Sequence, residues 1–182
     1  MSAPPSASPI QDDHGQRHRR SWYGSQIAFS GPLEAETRKR LGCRLLVEER
    51  PGLLLYGVHG LRHEGDPRAH SVTVRFEATP KLRTFGLHPS CFSRVYADRG
   101  AESPHRHEDD ALCLWMPYHP IERRWTPDKG LHDLLGLAVR HLFAEHWWRE
   151  HDHEWLLDEA PHGVQSNRRQ RADSGRPARR RR

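Results

Sequence analysis

Residues 70–78 read HSVTVRFEA, and this stretch decides the fold class. Val72, Val74 and Phe76 alternate with polar residues, which is the pattern of a strand with one buried face. The Thr-Pro pair at residues 79–80 ends the strand, because proline has no N–H group for a sheet ladder. A strand of this kind needs neighbours, so the sequence predicts a sheet that packs one face against a core.

The segments on either side supply the neighbouring strands. Residues 43–49 and 53–58 are strand-like, and Pro51-Gly52 between them favours a turn. A polar loop at residues 61–69 leads to the strand quoted above, and residues 82–87 are predicted to form a weaker fourth strand. Short connections between consecutive strands are typical of an antiparallel meander.

Two helices are predicted, one on each side of the meander. The first covers residues 32–41, with proline in its first turn and Gly42 at its end. The second follows Trp125-Thr126-Pro127, where Thr126 is a candidate cap, and runs to about Arg149. Its apolar positions recur at helical spacing: Leu131, Leu134, Leu135, Ala138, Leu142 and Trp147. The fold class is therefore α+β, with a long irregular segment between Pro89 and Cys113.

The polar positions of the second helix are expected to face water. His141, Glu145 and Arg149 lie four residues apart, on a strip that we expect to be wetter than the apolar face. Further histidines are expected to be exposed on the helix and in the turn after it: His146, His151 and His153.

The folded domain is expected to span residues 21–163, with disordered tails at residues 1–20 and 164–182. The first tail is rich in Pro, Ser and Ala, and the last 17 residues of the chain contain eight arginines, so neither tail can form a core. The net charge of +5 comes from this second tail, since the rest of the chain is slightly acidic. A nearly neutral domain argues against nucleic-acid binding by the folded part.

The cysteines indicate the redox environment. Cys43, Cys91 and Cys113 have no regular spacing, which argues against a disulfide framework and favours a reducing, cytoplasmic location. The sequence also shows no signal-peptide pattern and no apolar run long enough to span a membrane.

Cys113 is the candidate nucleophile. It lies between Leu112 and Leu114, directly after the polar run PHRHEDDA at residues 104–111. The two leucines would place the thiol at the edge of a core, while the preceding polar loop stays in water. A thiol at such a boundary, with histidines nearby, is suited to nucleophilic catalysis. The alternative is that Cys113 is a small buried hydrophobic residue.

The same run contains an incomplete set of metal ligands. Zinc accepts these residue types: His105, His107, Cys113, Glu108, Asp109 and Asp110. No CxxC pair is present and four convergent ligands cannot be named, so neither a metal nor a cofactor is expected.

The cysteine segment and two downstream features resemble the prokaryotic ubiquitin-conjugating-enzyme-like family. In that family a histidine precedes an aliphatic-Cys-Leu-aromatic run by the interval that separates His105 from Leu112-Cys113-Leu114-Trp115. Trp125 resembles the tryptophan that opens its post-cysteine helix. Trp155 with Pro161-His162-Gly163 resembles its carboxy-terminal Trp…His-Gly signature.

The resemblance covers roughly residues 53–163 and implies a ubiquitin-conjugating-enzyme-like fold in which Cys113 forms a thioester with a protein carboxy terminus. An amine then takes the acyl group. His105, and second to it His107, are then expected to activate the thiol or stabilise the oxyanion. Members of the family accompany nucleotidyltransferases in bacterial cyclic-oligonucleotide antiphage defence operons. The implied partners are a ubiquitin-like modifier or target protein, a separate activating enzyme and a nucleotidyltransferase.

Two departures from the family pattern keep alternatives open. Asn167, in the predicted tail, is the only asparagine, so the domain lacks the asparagine of the eukaryotic His-Pro-Asn motif. Asp109 and Asp110 occupy the loop before the cysteine, where the family has glycine, and anions near the sulfur would raise its pKa. The alternatives are an inactive adaptor with the same fold and a nucleic-acid-binding module that acts through the arginine-rich tail.

Overall fold

The computed structural model describes residues 22–157, and both predicted tails lie outside this part of the chain. The main elements follow one another as α1 (Ile27–Leu41), β1 (Leu45–Arg50), β2 (Leu53–Leu61), β3 (His70–Glu77), β4 (Arg94–Ala97) and α2 (Gly130–Glu150). The predicted α+β class is confirmed.

The strands form one antiparallel meander in the order β1-β2-β3-β4. A tight turn at residues 51–52 joins β1 to β2, as predicted, and Gly52 adopts the positive φ of 73° that such turns favour in glycine. In the centre of the sheet Tyr56 lies opposite Val47 on one side and Val74 on the other.

The prediction of a fourth strand at residues 82–87 is wrong. Phe85 and Gly86 have φ values of 53° and 80°, so the backbone turns there instead of extending. The fourth strand is β4, inside the segment expected to be irregular, where Val95 and Ala97 are buried against the core. A strand of four residues has too few alternating positions to be recognised by its pattern.

One face of the sheet is covered by both helices, and the other face lies open. Tyr56, Val74 and Phe76 on the covered face are fully buried, and they pack in one cluster with Leu33 of α1 and Leu134 of α2. This arrangement matches the one-sided pattern that residues 70–78 predicted. No helix within residues 22–157 is long and apolar enough to cross a bilayer.

The helix boundaries differ from the predictions at their amino-terminal ends. α1 begins five residues earlier than expected, so Pro32 lies inside the helix. The additional first turn carries Phe29, which packs edge-on against Phe76 at a centroid distance of 5.5 Å. α2 begins at Gly130 after a short turn, and the side chain of Thr126 makes no capping hydrogen bond. At the other end Trp148 is buried, and Trp147 only half-buried.

Candidate functional site

The segment that carries the cysteine is a narrow hairpin at residues 105–113. The N–H group of His107 donates to the carbonyl of Ala111 at 2.8 Å, and that of Cys113 donates to the carbonyl of His105 at 3.1 Å. Residues opposite one another in an antiparallel pair share a face, so His105 and Cys113 are cross-strand neighbours.

The hairpin is attached to the sheet and to α2. The N–H group of Leu112 donates to the carbonyl of Val95 in β4 at 2.7 Å. Arg106 belongs to the hairpin, and its side chain reaches α2, where its Nε and Nη2 each donate to an oxygen of Glu145 at 2.8 Å. Its Nη1 donates to the carbonyl of Ala97 at 2.9 Å. Arg106 therefore fixes the cysteine segment to two elements of the core.

The expected wet strip on α2 is wrong for its first two members. His141 is buried, Glu145 is fully buried, and His141 Nε2 lies 3.2 Å from Glu145 Oε1. Burial alone would raise the pKa of Glu145, but the hydrogen bonds from Arg106 and His141 outweigh it and lower the pKa to about 2. Glu145 is thus the anion that holds the hairpin in position.

The two acids before the cysteine are also paired with arginines. Asp109 accepts from Arg94 Nη2 at 2.5 Å and from the Tyr96 hydroxyl at 2.9 Å. Burial acts to raise the pKa of Asp109, and these hydrogen bonds hold it below its ordinary value. Asp110 accepts from Arg106 Nη1 at 3.1 Å. These arginines offset the negative charge of the two acids in front of the cysteine.

A cleft of about 660 Å³ opens beside the hairpin, and Cys113 and His107 belong to its wall. Two exposed aromatic residues form the mouth of the cleft: Phe85 is 58% exposed and Tyr118 is 75% exposed. Cys113 itself is only 3% exposed. Cys113 is therefore a buried residue in the lining of the cleft.

His105 is placed differently from His107. It is fully buried, and its ring stacks on the indole of Trp155 at a centroid distance of 4.2 Å and an angle of 21°. It does not belong to the residues that line the cleft. Of the two histidines expected near the sulfur, His107 shares the cleft with Cys113, and His105 lies behind it in the core.

The segments that carry the family resemblance meet in the structure. Trp155, after α2, packs on His105, and Trp115, after the cysteine, lies 6.0 Å from the ring of Trp125. Trp125 is buried and donates from Nε1 to the carbonyl of Gly130 at 2.9 Å. The remaining part of the signature, Pro161-His162-Gly163, lies outside the described residues.

The metal ligands considered around Cys113 do not converge. Within residues 22–157, the only group of potential ligands whose atoms all lie within 4.8 Å of one another is His63, Asp66 and His70. Sequence reasoning missed this group, although a histidine, an aspartate and a histidine at short intervals are visible in the polar loop.

The comparisons with known proteins give no relative: no protein-family model matches the chain, and no curated protein or solved structure matches it. Function therefore has to be inferred from the residues of the hairpin and the cleft and from their chemistry.

Proposed function

We propose that this protein is a ubiquitin-conjugating-enzyme-like acyltransferase that carries a protein carboxy terminus as a thioester on Cys113. The observation that carries the proposal is the position of this residue, in the lining of a 660 Å³ cleft that His107 also lines. Thiols held at such boundaries next to titratable groups are suited to covalent catalysis.

The architecture supports this family. An amino-terminal helix, a four-stranded meander, a cysteine-bearing segment and a long helix follow one another in the order expected of a ubiquitin-conjugating-enzyme-like fold. The contacts of His105 with Trp155 and of Trp115 with Trp125 join residues that the resemblance selected from three separate segments.

The reaction has two transfers. In the first, the Cys113 thiolate attacks the carbonyl carbon of an acyl group that an activating enzyme delivers, so a C–S bond forms and the activating group leaves with its electron pair. In the second, a lysine amine attacks the same carbon, a C–N bond forms, and the thiolate leaves. The amine gives up one proton to a base in the cleft or to water.

The oxyanion of each step needs donors other than the backbone beside the sulfur. The N–H groups of Leu112 and Cys113 already donate to Val95 and His105. We assign the donor role to the side chain of His107, which lines the cleft, and a supporting role to His105 behind it. The aromatic mouth then holds the extended tail of the modifier, and antiphage defence in the bacterial cytoplasm is the setting that the family implies.

A second function is favoured by one observation. Cys113 is 3% exposed, which is also the state of a structural cysteine. In that case the same cleft binds a protein segment without chemistry, and the chain acts as an adaptor.

Isolation of the protein from its native host under non-reducing conditions separates the two functions. The proposal predicts an adduct on Cys113 that thiols remove, its loss in Cys113→Ala, and a thiol-resistant ester in Cys113→Ser. Cys91→Ser is the matched control, since Cys91 does not line the cleft, and it should keep the adduct.

His107→Ala should slow transfer by about 10²–10³-fold, the range for loss of one oxyanion donor. A cleft that binds its partner with no adduct in any variant supports the adaptor instead.

A further inference from the structure

Three histidines from three segments surround one buried carboxylate. His63 and Asp66 lie in the loop after β2, His70 begins β3, and His146 lies on α2. Asp66 Oδ2 lies 3.9 Å from His63 Nε2, 3.7 Å from His70 Nε2 and 3.8 Å from His146 Nδ1. We call these four residues the histidine cluster.

The hydrogen bonds of two histidines fix which ring nitrogen carries the proton. His63 Nδ1 lies 2.8 Å from the carbonyl of Glu64, and His70 Nδ1 lies 2.8 Å from a carboxylate oxygen of Asp98. Both of these oxygens only accept, so each Nδ1 is the donor. Each Nε2 therefore presents a lone pair to the histidine cluster in the neutral ring.

These two lone pairs lack a protein partner. Nε2 of His63 and Nε2 of His70 make no hydrogen bond with any atom of residues 22–157, and both side chains are only 3% exposed. A buried polar atom without a partner costs roughly 1–3 kcal/mol, so such atoms indicate a ligand or strain. Two of them beside one carboxylate indicate a cation.

We propose that the histidine cluster binds a zinc ion through His63 Nε2, His70 Nε2, His146 Nδ1 and Asp66 Oδ2. Imidazole nitrogen and carboxylate oxygen are ligands that zinc prefers, and four of them complete its tetrahedral shell. Bond lengths of about 2.0–2.1 Å place tetrahedral ligand atoms about 3.3 Å apart. Asp66 Oδ2 lies 3.7–3.9 Å from the three histidine nitrogens, which exceeds this by about half an ångström. The ligand atoms of His63, Asp66 and His70 already lie within 4.8 Å of one another, whereas His146 lies farther from at least one of them and has to move closer to complete the site.

The surroundings have two further features of a metal site. The Asp98 carboxylate accepts a hydrogen bond from Nδ1 of His70. Zinc-bound histidines commonly have a carboxylate partner at this position, and it orients the ring. The backbone N–H of Arg68 holds Oδ1 of Asp66 at 2.9 Å, which directs Oδ2 toward the histidines. The Arg68 guanidinium also donates to Oδ2, at 2.6 Å, and would compete with the metal for this oxygen.

The site is structural, since all four positions are filled by protein side chains. It would connect the loop between β2 and β3 to α2, which already touch where Gly65 lies against the ring of His146. Phe143 of α2 adds an edge-on contact with His63 at 5.9 Å. This role is separate from thioester chemistry at Cys113, so either proposal stands if the other fails.

The test uses the full chain, stripped with a chelator and then titrated with Zn²⁺ alone. The wild type should take up one zinc per chain and gain about 5 °C or more in thermal midpoint at saturating zinc.

His146→Gln keeps a side chain of similar size at a half-buried position and should weaken zinc binding by more than about 100-fold. Asp98→Asn, which leaves every ligand in place, should weaken it by about 10–100-fold. His59→Gln is the matched control, because exposed His59 bonds Ser71 on the sheet, and it should bind zinc as the wild type does.

Cobalt provides a readout that does not depend on any variant. Co²⁺ in place of Zn²⁺ should give the intense visible absorption of a tetrahedral site, which added Zn²⁺ should abolish. Absence of tight zinc binding and of this band in the wild type overturns the proposal. Equal zinc affinity in wild type, His146→Gln and Asp98→Asn also overturns it, since the ion then lies elsewhere on the chain.

Discussion

The base of the cysteine hairpin and the histidine cluster both bury charged groups against α2, but they satisfy them in opposite ways. At the hairpin, the donors of Arg106 meet both oxygens of Glu145 and two backbone carbonyls. In the histidine cluster, His63 and His70 each use one nitrogen and leave the other beside Asp66 without a hydrogen bond among the described residues. Protein groups satisfy the buried charges of Arg106 and Glu145, whereas the free nitrogens of His63 and His70 would need a bound cation.

This difference gives the two regions separate roles. A fully satisfied buried network holds its members in one arrangement, which the nucleophile that we propose at Cys113 would require. Two buried imidazole nitrogens without a hydrogen bond among residues 22–157, beside one carboxylate, are suited to binding a metal ion.

The largest effect should follow loss of Arg106. Arg106→Leu leaves Glu145 as a fully buried carboxylate without its main partner, so the free energy of unfolding should fall by about 3–5 kcal/mol. Denaturant unfolding measures this change. Arg40→Leu is the control, because Arg40 pairs with Glu36 on the exposed surface of α1, and it should not change the midpoint resolvably. A small loss in Arg106→Leu would contradict the supporting role of the pair.

The pH dependence of stability should reveal Glu145. Its pKa is about 2 in the folded protein against an ordinary value of 4.5, so its carboxylate stabilises the fold above pH 4.5 and loses this effect as the pH falls toward 2. The shift corresponds to roughly 3 kcal/mol. Glu145→Gln should therefore be much less stable than the wild type at neutral pH, and the deficit should narrow toward about pH 3. A deficit that does not change with pH would show that Glu145 is not held ionised.

A smaller effect of opposite sign is expected at Arg68. Its guanidinium pairs with the Asp66 carboxylate and holds the pKa of that group well below its usual range. Arg68→Gln removes this competitor, so zinc should bind up to about tenfold more tightly, which is about 1.4 kcal/mol. Arg62→Gln makes the same charge change in the same loop, where Arg62 bonds only the Pro67 carbonyl, and should leave zinc affinity unchanged. Weaker zinc binding in Arg68→Gln would place the ion away from Asp66.

Periodicity predicted the elements that have it. The alternation in residues 70–78, the turn at residues 51–52 and the apolar positions of α2 each depend on a local pattern. The structure confirms the first two and every predicted apolar position of α2 except Trp147, which is half-buried. β4 was missed because four residues carry no pattern, while residues 82–87 resembled a weak strand and instead contribute Leu82, Arg83 and Phe85 to the cleft. Local sequence is informative where many consecutive residues share one environment.

The polar interior could not be predicted because its partners are distant in sequence. His141 and Glu145 have the helical spacing that is typical of a solvent-exposed strip. Their burial is explained by the ion pair of Glu145 with Arg106, which lies 39 residues earlier in the sequence. The histidine cluster has the same origin: three of its members are close in the loop, but His146 comes from α2. Pairing across a fold is decided by packing, which a single sequence does not display.

The central claim is that Cys113 is a nucleophile, and alkylation rates of the three cysteines test it most directly. The native protein is treated with iodoacetamide at neutral pH, and each site is quantified by mass spectrometry relative to the unfolded chain. We expect Cys113 to react faster than exposed Cys43 and half-exposed Cys91, although it is itself buried, because the proposed reaction requires a thiolate at this position at neutral pH. Reaction of Cys113 only after unfolding, with Cys43 and Cys91 modified first, would contradict the claim and identify Cys113 as a structural residue.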